Sequence, residues 1–197
     1  KEHCDTLSIA NFTFISQFYS NVYTKLGIKG DIDIINLAYL NKEHEYTNER
    51  IKQIQQLIPD FSLTNIDTLP QNLDVFNFEK KYNVIYNSVR SWRTLKSVLY
   101  YVANDHMVLI YLLISILKLK KNGTLLFRIG NILSSLRIDM LCIIKEQFKS
   151  FVIARSDLYI AEHQNGFVVI CQGYNGGNKT KIEKVLKELI KADPDMG

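Results

Sequence analysis

The apolar run MVLIYLLISIL, Met107 to Leu117, constrains this chain more than any other stretch. It is shorter than the roughly 20 residues that span a bilayer, and Lys118, Lys120 and Lys121 follow it at once. An apolar segment of that length in a water-soluble chain predicts a helix buried on most sides. Asn122-Gly123 then turns the chain into a second apolar run, Thr124 to Ile129, with the branched and aromatic residues of a strand. A buried helix feeding a buried strand calls for a layered fold with helices packed on a sheet.

The rest of the chain repeats that alternation. Strands are predicted at Thr6–Ala10, Asp31–Leu37, Phe61–Ile66, Tyr82–Asn87, Thr124–Ile129, Phe151–Ala154 and Gly166–Cys171. Helical spacing appears over Phe12–Leu26, Glu43–Ile58 and in the stripe Leu133, Leu136, Met140, Ile143, Ile144 and Phe148. A last amphipathic pattern carries Ile182, Val185, Leu186, Leu189 and Ile190, after a glycine-rich break, GYNGGN, at 173–178. The expectation is an α/β fold: a doubly wound, mostly parallel Rossmann-like sheet with helices on both faces. At 197 residues the chain holds one large domain, 1–178, with the terminal helix of 179–197 packed on it.

Composition narrows the class. Apolar residues make up 47% and charged residues 22%, which suits a folded protein. The three cysteines, Cys4, Cys142 and Cys171, each lie in an apolar run far from one another. They are expected to be reduced core residues of a cytoplasmic protein. The four histidines share no ligand spacing with one another or with cysteine, so no metal is expected. No signal peptide is recognisable, no membrane partner is expected, and the chain starts at Lys1, as a piece of a longer protein would.

Charge is uneven. Residues 1–80 hold 7 basic and 11 acidic side chains, which leaves 17 and 9 for the remainder and makes that part the basic one. A basic surface attracts polyanions. The segment SVRSWRTLKSVLYY at 88–101 sets Arg90, Arg93 and Lys96 beside Trp92, a mixture that can hold phosphates and stacked bases. RNA is therefore one expected partner, and a protein is the other.

From Tyr82 onward the order of features resembles the FtsJ-like family of RNA ribose 2′-O-methyltransferases. That family writes "fDvIxsD", a long apolar helix, "LkxGGtfvxKif", a further helix and strand, and "sEkYlVckGy". The counterparts here are YNVIYN at 82–87, HMVLIYLLISILKLKKNGTLLFRIGN at 106–131, FVIARSD at 151–157 and GFVVICQGY at 166–174. The first 80 residues agree by element order alone. The resemblance implies S-adenosylmethionine as cofactor, RNA (cap or ribose) as substrate, and a last strand running antiparallel between its neighbours. The abundance of Asn, Ile and Lys suits an AT-rich genome, such as that of a large DNA virus or a parasite, which adds a viral factory or virion to the expected locations.

The motif residues depart from the family. Its catalytic lysine falls on Arg128, its acid on Asn87, and its final glutamate has no aligned residue, with Glu162 as the nearest substitute. Lysine can act as a base when its pKa is depressed, whereas arginine keeps its proton in proteins. The cofactor positions fall on Asn11, within the glycine-free stretch IANFTFIS, on Asn36 and on Asp67. Weak or absent S-adenosylmethionine binding is expected. Three functions stay open: a divergent RNA methyltransferase, a silent RNA- or protein-binding relative of one, and an unrelated nucleotide-binding Rossmann domain.

Overall fold

The computed structural model describes residues 3–10, 29–36, 52, 56, 61–65, 79–87, 98–129, 135–155 and 167–191. Seven strands form one sheet: β1 (Thr6–Ala10), β2 (Gly30–Asn36), β3 (Phe61–Asn65), β4 (Tyr82–Asn87), β5 (Leu119–Ile129), β6 (Phe148–Arg155) and β7 (Phe167–Tyr174). Their order is β3-β2-β1-β4-β5-β7-β6. Every pairing from β3 to β5 is parallel, while β7 runs antiparallel to both β5 and β6. This is the expected sheet, with the antiparallel strand in its expected place.

Three helices are described: α1 (Val98–Lys118), α2 (Ser135–Lys145) and α3 (Lys179–Lys191). The apolar run from Met107 to Leu117 lies in α1, and every residue from Ile110 to Leu119 is buried. Its burial on most sides has a cause, because α1 contacts β4 and β5 on one side and α2 and α3 on others. Leu7, Ile9, Ile85, Leu125 and Phe127 alternate along their strands toward this helix layer. Each fully buried aliphatic or aromatic side chain contributes about 1.5–3 kcal/mol. Ser8, Ile32 and Ile34 are buried on the other face, so both sides of the sheet are covered. Among the described residues no helix is long and apolar enough to cross a membrane.

Two irregularities shape the centre of the sheet. The amides of Asn83 and Val84 both donate to the Asp5 carbonyl, at 2.8 and 3.2 Å. This bulge lets Tyr82 share the face of Ile85. Opposite it, Tyr82 is in register with Leu119 and Val84 with Thr124, so Lys120–Gly123 loop out of the ladder. Asn122 has φ 63° there, a left-handed conformation that asparagine tolerates. The expected Asn-Gly turn is thus a kink inside a longer strand.

Tyr82 explains how Asp33 sits inside a core strand. The phenol donates to Asp33 Oδ2 at 2.7 Å, and Lys80 Nζ meets the same oxygen at 2.9 Å. Burial works to lower the Lys80 pKa, but Asp33, joined by Asp31 and Asp5, outweighs it and leaves it raised. Burial and the Asp33 hydrogen bond push the Tyr82 phenol far up.

Three sequence expectations need correction. Cys142 is exposed on α2, Cys4 is half-buried, and only Cys171 is a core thiol, which burial pushes up to about 12. The inward face of α2 is Met140, Leu141 and Ile144, while Ile143 is 60% exposed and Phe148 opens β6. The GYNGGN stretch is less of a break than expected, because Gly173 and Tyr174 end β7 and the residues after them are hydrogen-bonded. Asn175 donates from its backbone to Gln147 O and from its side chain to Glu146 O, both at 2.9 Å. Asn178 Oδ1 accepts from Lys181 N at 3.1 Å and caps α3. The helices expected over Phe12–Leu26 and Glu43–Ile58 lie outside the described residues, apart from 52 and 56.

Candidate functional site

Open α/β sheets bind ligands beyond the carboxyl ends of their strands, where the strand order reverses. Here that point lies between β1 and β4. The described floor of the crevice consists of Ala10, ending β1; Asn36, ending β2 in register with Ala10; Asn87, ending β4; and Arg128 near the end of β5. Asn11, Asp67, Glu162, Arg90, Trp92, Arg93 and Lys96 lie outside the described residues, as does the side chain of Asn36.

Asn87 is buried, and its amide faces the helix layer. Nδ2 donates to Ser115 Oγ at 3.1 Å, and Ser115 donates onward to Tyr111 O at 2.7 Å. Ser115 is the one serine within the apolar run of α1, and it spends its proton on the preceding helical turn. That lone serine was the sequence signal for this bridge, and the periodicity of the helix concealed it. Burial also pushes the Tyr111 phenol up.

Arg128 answers differently. It is 8% exposed and engages at least one partner, as a buried guanidinium must. Asn87 is in register with Phe127, and Arg128 follows Phe127. Successive strand residues point to opposite faces. The two expected catalytic positions therefore sit on neighbouring strands without sharing a face. On β7 the partner of Arg128 is Val168, which offers it no charge.

No family model matches the sequence, and no curated protein matches it. Solved structures do share the fold. An rRNA methylase from Streptococcus thermophilus aligns over 89% of both chains with a TM-score of 0.50 and 8% identity. A protein assigned as a ribosomal RNA methyltransferase, from Plasmodium falciparum, aligns over 90% of both with a TM-score of 0.51 and 13% identity. A third, assigned as a methyltransferase and complexed with SAH, covers 86% of this chain and 45% of its own, with a TM-score of 0.53 and 13% identity. The fold is Rossmann-like, of the kind these methyltransferases have. At such identities the likeness extends to the fold alone.

Proposed function

We propose that this chain is a divergent, FtsJ-like methyltransferase-type domain that holds RNA at the carboxyl end of its sheet and is silent in lysine-based ribose methylation. The observation that carries the reading is the register of β4 on β5. It sets Asn87 and Arg128 on opposite faces, with the Asn87 amide committed to Ser115. A ribose hydroxyl needs a base that can give up its proton near neutrality, and an arginine and an amide supply none.

The residues present fit S-adenosylmethionine poorly. Asn36 ends β2 with an amide where ribose hydroxyls would meet a carboxylate, and the Asn87 amide is turned to α1. An amide hydrogen-bonds without the charge that strengthens such a bond. A second reading, an active RNA methyltransferase, is favoured by the likeness to a SAH-complexed structure.

Calorimetric titration with S-adenosylmethionine and SAH, alongside transfer of a labelled methyl group to capped and uncapped RNA, separates the two. The silent reading expects salt-sensitive RNA binding and no incorporated label. Label incorporation that disappears in Arg128→Ala would return the active enzyme to first place. Failure to bind RNA at any salt concentration would leave a protein as the partner.

A further inference from the structure

The amino-end edge of the sheet, opposite the crevice, brings together three side chains that can ligate a metal. His3 bridges to Lys29 with the parallel offset that also joins Thr6 to Ile32. Asp5 and Asp31 therefore face each other across β1 and β2, with His3 two residues before Asp5 on the same side. His3 Nε2 lies 3.2 Å from Asp5 Oδ1 and 3.6 Å from Asp31 Oδ2, and all three donor atoms fall within 4.8 Å of one another.

We propose that His3 Nε2, Asp5 Oδ1 and Asp31 Oδ2 form a surface site for a divalent transition metal, with zinc the best fit. Tetrahedral zinc at bond lengths of about 2.0–2.2 Å sets neighbouring ligand atoms about 3.3 Å apart. The two His3 distances bracket that spacing, so only the two carboxylates need to close on each other. Hydrogen bonding alone serves the cluster badly. A neutral ring presents at most one proton at Nε2 and can satisfy one carboxylate at a time, while like charges opposite each other on paired strands repel. A divalent cation satisfies both.

The surroundings also orient one of the ligands. Lys120 Nζ takes Asp5 Oδ2 at 2.8 Å, which orients the carboxylate and leaves Oδ1 turned to the ring. Such an outer hydrogen bond fixes a ligating carboxylate as outer partners do in known metal sites. Three protein ligands leave the fourth position to water.

The test is calorimetric titration of zinc into the full chain carrying Cys142→Ser, which removes the exposed thiol. The expected result is one zinc per chain, with affinity falling by at least about tenfold, or 1.4 kcal/mol, in His3→Ala and in Asp31→Asn. His3 is 60% and Asp31 42% exposed, so both variants keep the fold, and a thermal melt without metal checks this. Zinc should raise the melting temperature of the parent and not that of His3→Ala. Cobalt substitution should give a spectrum without thiolate charge transfer. Equal zinc affinity in parent and both variants, or no binding at millimolar zinc, would reduce the cluster to an ordinary surface ion pair and overturn the proposal.

Discussion

Asn87 and Arg128 stand at the ends of neighbouring parallel strands, yet their side chains leave opposite faces of the sheet because Asn87 is in register with Phe127. This relationship removes the simplest repair of the motif. Restoring an acid by Asn87→Asp would place a carboxylate against Ser115 and on the wrong face from residue 128. The Nδ2 donor would be lost, and Ser115 would have to choose between the new carboxylate and Tyr111 O. Asn87→Asp is expected to lower stability by about 1–3 kcal/mol, the range for a disrupted buried hydrogen bond. Urea midpoints check this. Asn87→Asp combined with Arg128→Lys should show no methyl transfer, and activity in that double variant would contradict the register argument.

Gly30 gives a second, purely steric prediction. A Cβ there would collide with the backbone carbonyl of Cys4, whose amide already bonds to Lys29 O at 2.9 Å. Backbone on both sides cannot turn away as a flexible side chain can. Gly30→Ala should therefore cost about 1–3 kcal/mol and weaken zinc binding, because it pushes β1 from β2 and separates Asp5 from Asp31. A variant that melts like the parent would show that the strand edge yields.

Much of the sheet was legible in the sequence because strand and helix periods differ, and the apolar runs obey one or the other. Phe151–Ala154 was recognised only in part, since the polar start Lys149-Ser150 hides the first turn-exposed residues of β6. The expected α2 stripe differs from the inward face because the apolar side chains of this helix fit two overlapping faces, and only tertiary packing chose Met140, Leu141 and Ile144. The candidate site was less legible still. A position at a strand end can be read from sequence, but the face it takes depends on register, and the Asn83 bulge shifts that parity within β4. The same limit hid the metal ligands: His3 and Asp31 belong to different strands, so no spacing rule connects them.

Lys118 carries a pH prediction. It ends α1 almost fully buried; that burial, with the nearby Lys81 charge, pushes it down to about 8, and Glu183 only partly offsets this. Lys81 itself donates to Leu117 O at 2.8 Å. The ordinary value is 10.5, so between about 8 and 10.5 the unfolded chain holds a proton that the folded chain has released. Stability should then rise with pH through that window and be insensitive to this group below it. Lys118→Met should stabilise the protein at pH 7 by about 1–2 kcal/mol and flatten the rise. Denaturant titrations at pH 7, 8.5 and 10 would read it; a parent that loses stability across the window by an amount unaffected by Lys118→Met would refute the assignment.

The last prediction concerns Arg128 and RNA. Its burial changes what removal should do: a guanidinium 8% exposed also packs through its stem, so Arg128→Ala should lower stability by about 1–3 kcal/mol even if RNA binding is untouched. Affinity at a single salt concentration would then mix folding with recognition. The dependence of affinity on salt separates them, because each phosphate neutralised by the protein releases counterions and steepens the slope. If Arg128 reaches a phosphate at the crevice, Arg128→Ala should reduce the magnitude of the log–log slope by about one, and Arg128→Lys should keep it. Both variants must be shown folded by a melt at the temperature of the binding measurement. An unchanged slope in a folded Arg128→Ala protein would make Arg128 a packing and ion-pair residue of the sheet, and would remove it from the RNA path.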